Sequence, residues 1–412
     1  MTDPTPTIRN RYYALALLFA ANLLNYIDRQ VIYAVFPLIK TDLQISDTAL
    51  GSIGSVFMVC YMFSAPLFGW LGDRVKRVRI ASCGLLAWSI ATAGAGFANS
   101  YAMLLTARTL VGVGEASFGT VSPGIISDYF TKAHRGRIIA LFYLAIPLGS
   151  ALGYLLGGIF GQFAGWHAAF MLVGVPGILL TIPLWLLREP DRGQSEGRQD
   201  KRTALAAGYR SLAANWSFVI NTLAMAAMTF AMGGLAQWAP TFLYREHHMD
   251  IANVNTAFGA ITIAAGISGT LAGGWLGDRF QKRSESGYLA VSAFGFVIGA
   301  PALVLALTAN TIAVCFAAIF FAEFFLFFST GPLNTITINV TRPEIRAMAF
   351  AVNIFFIHAL GDAISPVIIG RFSDLMGIRT ALMITPCAIL AAALLAIFCT
   401  RFIVRDVAAA EA

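Results

Sequence analysis

Gly69-Trp70-Leu71-Gly72-Asp73-Arg74 recurs, residue for residue, as Gly274-Trp275-Leu276-Gly277-Asp278-Arg279. The copies lie 205 residues apart in a chain of 412, so the second half repeats the first. Each copy ends a long apolar run and precedes basic residues: Lys76, Arg77 and Arg79 after the first, Lys282 and Arg283 after the second. A duplicated, membrane-embedded chain predicts two halves that rock about a site between them.

Composition agrees. Hydrophobic residues make up 58% of the chain and charged residues 12%, against the roughly 25% charged residues of a soluble domain. A helix needs about 20 apolar residues to cross a bilayer. Such runs occur at Tyr12–Phe36, Leu50–Leu71, Ile80–Ala98, Tyr101–Ser127, Ile138–Phe163, Ala168–Leu187, Trp216–Tyr244, Ala252–Leu276, Tyr288–Leu307, Ile312–Ile338, Ala347–Ile369 and Ala381–Phe402. The expected fold is an all-α membrane protein of twelve transmembrane helices in two pseudo-symmetric six-helix bundles, residues 1–187 and 216–412. A cytoplasmic linker, 188–215, joins them, with an amphipathic helix near Thr203–Leu212. The short polar stretch before Tyr12 does not read as a signal peptide.

Positive charge sets the topology. Both ends and every second loop carry 22 Lys and Arg residues, the opposite loops only Lys40, Arg245, Arg371 and Arg379. Both termini are therefore expected in the cytoplasm. The net charge of +7 is this bias and gives no sign of nucleic-acid binding. Five cysteines are scattered singly, without metal or disulfide spacing, and read as small core residues. No cofactor, metal or catalytic set is expected, and the chain reads as a monomer.

Seven ionisable side chains fall inside the spans: Asp28, Arg29, Arg108, Glu115, Glu323, His358 and Asp362. Each costs at least ~2.5 kcal/mol to insert, so each should face protein or water. In the first span Asn22, Asn25, Tyr26, Arg29 and Tyr33 form a polar stripe, with Asp28 beside it. In the fourth, Arg108 and Glu115 share a face two turns apart, about 10 Å along the axis. That is too far to pair, so their partners must come from another helix or a ligand. Asp28 and Arg29 are the candidates, giving two acids and two bases in balance. Burial raises a carboxylate's pKa and a nearby arginine lowers it. Asp28 and Glu115 are thus the proton-site candidates, with Arg29 and Arg108 as modulators or anion anchors; a permanently paired quartet is the bland alternative.

In the second half Glu323 shares a stripe with Thr330, Asn334 and Thr337, and His358 stands four residues from Asp362, within reach. The repeated Asp73-Arg74 and Asp278-Arg279 sit at span ends, where an acid can cap a neighbouring helix and act in gating. Glycines at 149, 153, 157 and 158 allow close helix packing. Two motifs fail as chemistry. Gly112-Val-Gly114-Glu-Ala-Ser117 lies mid-helix with no preceding strand, and Gly266-Ile-Ser268-Gly269 is a short protease-like match with His358 as an imagined base.

Gly69-xxx-Asp73-Arg74-xx-Arg77, its repeat, and Arg108 followed by Gly112 and Gly114 resemble the major facilitator superfamily. Tyr154 stands where that superfamily's antiporter glycine motif usually has proline. More narrowly, the chain is similar to the Spinster family of lipid transporters. The similarity lies at Asn25-Tyr-Ile-Asp-Arg29, Arg108-Thr-Leu-Val-Gly-Val-Gly-Glu-Ala-Ser117, Phe142-Tyr-Leu-Ala-Ile-Pro-Leu-Gly149, Trp238-Ala-Pro-Thr-Phe-Leu243 and His358-Ala-Leu-Gly-Asp-Ala-Ile-Ser-Pro366. The resemblance implies alternating-access, proton-coupled transport of a lysophospholipid or sphingosine-1-phosphate-like amphiphile. The compact loops look like those of a bacterial member in an inner membrane. By the same resemblance Asp28, Glu115, Arg29 and Arg108 become the polar cavity, with His358 and Asp362 as the facing lining. Alternatives are export of hydrophobic drugs or organic anions through the same cavity and, from another class, an intramembrane enzyme or receptor.

Overall fold

The structure is a computed structural model describing residues 8–130, 132–189 and 205–411. Most of the expected linker, 190–204, lies outside the described residues, but a helix does begin where the amphipathic segment was read. The helices are α1 (Ile8–Ala34), α2 (Phe36–Leu43), α3 (Asp47–Gly72), α4 (Arg77–Ala95), α5 (Tyr101–Tyr129), α6 (Lys132–Tyr143), α7 (Ala145–Trp185), α8 (Leu205–Ala214) and α9 (Trp216–His247). They continue with α10 (Ile251–Gln281), α11 (Gly287–Thr308), α12 (Ile312–Asn339), α13 (Arg346–Ile357), α14 (Ser365–Met376), α15 (Ile378–Leu382), α16 (Ile384–Cys399) and α17 (Ile403–Glu411).

Among the described residues nine segments are long and apolar enough to cross a membrane. One of them, Arg137–Trp185, runs for 49 residues and is broken at Gly165, whose φ of 82° and ψ of 161° lie outside any helix. A Cβ at Gly165 would meet nothing within 4 Å, so the glycine is needed for its backbone conformation and not for space. Gly377 repeats the device between α14 and α15, at φ 85° and ψ 156°. The helices α1 and α5 fall outside the nine because their polar and charged residues lower their mean hydropathy. With these two and the break at Gly165, the helices accommodate the twelve crossings read from the sequence.

The eleventh apolar run differs from a single helix. It is α13, a five-residue π-helical segment at His358–Asp362 and α14, with Gly361 at φ −104° and ψ −107°. Pro366 explains the interruption: it lacks an N–H and its ring crowds the carbonyl four residues back, that of Asp362.

The helices group into two compact units. The first comprises Met1–Ile45, Ser52–Gln199 and Met249–Gly259, and within it α1 packs along α7 while α4 packs on α5 and α7. The second comprises Ser46–Gly51, Asp200–His248 and Ala260–Ala412, with α11 against α12 and α16 against α9 and α11. Of the cysteines, Cys315 and Cys399 are buried as expected, but Cys83 and Cys387 are exposed and Cys60 is half-buried. An apolar run that faces lipid has the same composition as one that faces core, which is why the sequence misplaces them.

The start of α9 is held by an acid from the far end of the chain. Asp406 of α17 accepts the Ser217 N–H at 2.8 Å and the Arg405 Nε at 2.8 Å. Burial alone would raise the Asp406 pKa, but the bonds from Arg405 and Ser217 outweigh it and hold the carboxyl below its usual range. Asp406→Ala should lower stability by about 1 kcal/mol, as for a lost helix cap, read as a fall in thermal midpoint. A depressed folded pKa means that the stabilisation is present above the ordinary aspartate value and fades as pH falls through the lowered one. The alanine variant should therefore lose less stability than the parent on acidification.

Candidate functional site

Four charges on α1 and α5 meet in the first unit. Arg108 Nη1 donates to Asp28 Oδ1 at 2.9 Å and Arg29 Nε to Glu115 Oε2 at 2.7 Å. Side-chain exposure is 1% for Asp28, 1% for Arg108 and 0% for Glu115, but 16% for Arg29. The cluster is neutral overall, which is what a low-dielectric interior tolerates. It is not saturated. Arg108 Nε and Nη2 and Glu115 Oε1 are buried without hydrogen-bond partners. Two unpartnered guanidinium nitrogens can donate to a phosphate or carboxylate, and a carboxylate oxygen with no donor can take a proton.

Aromatic rings line the cations. The Arg29 guanidinium lies over Tyr26, Phe57 and Tyr61 at 4.9, 5.1 and 4.9 Å, and Arg108 lies over the same Phe57 ring at 4.8 Å. Ring quadrupoles attract a guanidinium without neutralising it. Missing side chains make the approach possible. A Cβ at Gly112 would sit 2.4 Å from the Phe57 carbonyl oxygen, so α5 touches α3 backbone to backbone beside the charges. At Gly149 and Gly153 a Cβ would fall 2.7 Å from Leu23 O and 2.6 Å from Ile27 O, which brings α7 onto α1.

Around the quartet Asn25 is buried, as is Asn22, whose Nδ2 donates to Phe142 O at 3.1 Å. Tyr33 instead packs edge-on to Phe36 at 5.4 Å. Sequence reasoning missed Thr92, whose hydroxyl donates to Asp28, and Phe57, which serves both arginines. One threonine or phenylalanine in an apolar span carries no signal of its own.

In the second unit Glu323 is 6% exposed, and its Oε2 has no hydrogen-bond partner. Thr262 lies beside it. His358 Nδ1 stands 2.9 Å from Asp362 Oδ1, on the π-helical segment. Such segments often mark functional positions. A Cβ at Gly233 would lie 2.4 Å from the Asp362 Cβ, so α9 abuts this turn closely. Ser268 donates to Ala264 O at 2.5 Å on its own exposed face, which is a helix-internal bond and not a nucleophile's. Among the described residues no group of three or more His, Cys, Asp or Glu could hold a metal.

The repeated motifs end α3 and α10. Arg74 donates to Trp70 O at 3.0 Å and stacks on Trp70 at 4.0 Å; Arg279 lies over Trp275 at 5.8 Å. Asp73 is exposed, and Asp278 accepts the Tyr288 hydroxyl at 2.7 Å. The acid that caps α4 is Glu189, which takes the Arg77 and Val78 N–H groups at 2.9 and 3.1 Å, while Arg77 pairs with Asp128 at 2.9 Å. Also unread from the sequence is Asp47 in the second unit. Its carboxylate accepts from Arg245 Nη1 and Nη2 at 2.6 and 2.8 Å and from the Ser373 hydroxyl at 2.6 Å.

Residues 18–366 match the family model described as Major Facilitator Superfamily. The human Protein spinster homolog 1 is 37% identical over 382 residues, covering 87% of this chain and 72% of that protein. The chain belongs to the Spinster family of that superfamily. The Danio rerio protein named Sphingosine-1-phosphate transporter SPNS2 is 35% identical over 387 residues, 89% of this chain and 77% of its own. Protein spinster of Drosophila melanogaster is 35% identical over 378 residues, and the chain spans 62% of that relative's length. A crystal structure of a bacterial homologue to the human lysosomal transporter Spinster, inward-facing and unoccupied, matches with a TM-score of 0.89 and 25% identity. It covers 97% of this chain and 99% of that one. Membership of this superfamily, whose members are transporters and not enzymes, removes the enzyme reading.

Thr92→Val keeps the shape and deletes the hydroxyl that donates to Asp28. It should cost about 1–3 kcal/mol, the penalty for a buried acceptor left unmet, while Thr92→Ser restores most of it. Thermal unfolding of both purified variants checks this; equal losses would assign Thr92 to packing alone.

Proposed function

We propose that this Spinster-family protein is a secondary active transporter, working by alternating access and coupled to protons, for lysophospholipid or sphingosine-1-phosphate-like amphiphiles. The observation that carries the proposal is the buried quartet, neutral yet unsaturated, with two unpartnered guanidinium nitrogens and one unpartnered carboxylate oxygen. The printed name of the SPNS2 relative supports a phosphorylated, single-chain amphiphile as substrate. Glu115 and Asp28 are the proton sites in this reading. Arg29 and Arg108 anchor the phosphate, with Asn25, Tyr26 and Tyr33 around them, and Glu323, His358 and Asp362 contribute from the other half. Asp73, Arg74, Asp278 and Arg279 act in gating. The two bundles are residues 1–187 and 216–412, joined by the 188–215 linker. The protein works as a monomer in a bacterial inner membrane with both termini cytoplasmic, and it needs no cofactor beyond the coupling proton.

Transport of a labelled lysophospholipid into proteoliposomes, with and without an imposed pH gradient, tests the whole reading. Gradient-dependent uptake is expected; uptake of other organic anions or hydrophobic drugs in its place would replace the substrate class. Glu115→Gln should abolish gradient-driven flux in a folded protein, and unchanged flux would remove the coupling role. Arg108→Ala leaves Asp28 buried and unpaired, a cost of about 3–5 kcal/mol that protonation of Asp28 relieves. That variant should bind phosphorylated ligands far more weakly than neutral ones. Equal losses would make Arg108 structural.

A further inference from the structure

The first unit carries a cavity that the quartet does not line. It is an open groove of about 530 Å³, lined by Phe68 of α3, Cys83 and Ala87 of α4, Leu110 of α5 and Trp185 of α7, with Arg79 as its one charged residue. At about 100° per residue, Leu110 and Ser117 point to the side of α5 opposite Arg108 and Glu115. The groove therefore lies on the back of the helix that carries the charges. Its floor has no side chain at one point: a Cβ at Gly84 would overlap the Ser117 Oγ and lie 2.7 Å from Gly114 O, so α4 and α5 meet there backbone to backbone.

Charge and length together point to an occupant. Arg79 is exposed and, among the described residues, its guanidinium has no ion pair or hydrogen-bond partner. It stands in the first turn of the crossing Arg77–Ala95, at the membrane edge that carries the basic loops, with the exposed Lys76 just before it. From Arg79 to Ala87 is about 12 Å along α4 at 1.5 Å per residue, and half of a hydrocarbon core is about 15 Å. The groove thus offers one cation at headgroup level and an apolar track reaching most of the way through one leaflet. A basic site beside an apolar intramembrane surface suits an anionic lipid.

We propose that this groove binds a glycerophospholipid of the leaflet on the basic-loop side, with one acyl chain along Cys83, Ala87 and Leu110 and its phosphate on the Arg79 guanidinium. The site is separate from the charged quartet, and the inference does not rest on the substrate reading above.

Cys83 lines the groove and reports its occupancy, while the exposed Cys387 of the second unit serves as an internal control. The protein is placed in phosphatidylglycerol nanodiscs, one copy per disc, and treated with a membrane-soluble maleimide. Labelling is read at each cysteine by peptide mass spectrometry. Arg79→Ala should speed Cys83 labelling by roughly tenfold, the weight of one hydrogen bond to a charged group, and leave Cys387 unchanged. Ala87→Trp fills the groove from an exposed position. In native mass spectrometry it should remove one retained phosphatidylglycerol that the parent keeps.

Three outcomes overturn the proposal. One is equal Cys83 labelling in parent and Arg79→Ala, with the lipid retained in both variants. Another is protection that appears only with two copies per disc, which assigns the groove to a second chain. The last is protection conferred by inorganic phosphate in uncharged detergent, which makes Arg79 a free-anion site.

Discussion

An arginine cannot give up its charge, even where hydrocarbon surrounds it. Arg29 and Arg108 therefore impose a requirement on every helix near them: two carboxylates must be delivered to within hydrogen-bond reach. Asp28 and Glu115 meet it crosswise, each helix supplying one acid and one base to the other. Arg108 bonds the residue that adjoins Arg29, and Arg29 bonds a residue two turns from Arg108 on the same face. Neither helix can slide along the other without parting both pairs at once.

That demand explains where the small residues fall. Gly112 lies one turn from both Arg108 and Glu115 and lets α5 press on the α3 backbone at Phe57, the ring that both guanidinium groups share. Gly149 and Gly153 do the same for α7 against α1, at the turns that lead to Asp28 and Arg29. The glycine spacing that reads as packing in the sequence is thus packing in the service of a charged centre. Dispersion contacts in the wall hold the charges at bonding distance.

Hydropathy and charge made much of the architecture legible. Nine described segments long and apolar enough to cross a membrane, one of them the doubled run broken at Gly165, correspond to apolar stretches that could be marked residue by residue. The four charges could be gathered from the argument that Arg108 and Glu115 stand too far apart to serve each other. Which acid would meet which base could not, because that depends on helix rotation, and rotation leaves no trace in composition. Thr92, Phe57 and Asp47 stayed hidden for a related reason: a side chain that acts across a contact of distant sequence looks ordinary in its own span. The π-helical turn at His358–Asp362 had one visible cue, Pro366, whose effect falls four residues upstream of where it stands.

The electrical neutrality of the quartet has a thermodynamic consequence. A proton added to either carboxylate leaves the cluster with one uncompensated positive charge in a medium that penalises it. A negatively charged headgroup on the unpartnered nitrogens of Arg108, in the function proposed above, would cancel that charge. Each event lowers the cost of the other, and linkage requires the two enhancements to be equal, whichever ligand arrives first. Coupling between a cation as small as a proton and an anion as large as a lipid headgroup can thus arise from charge balance in one pocket, with no wire joining two sites.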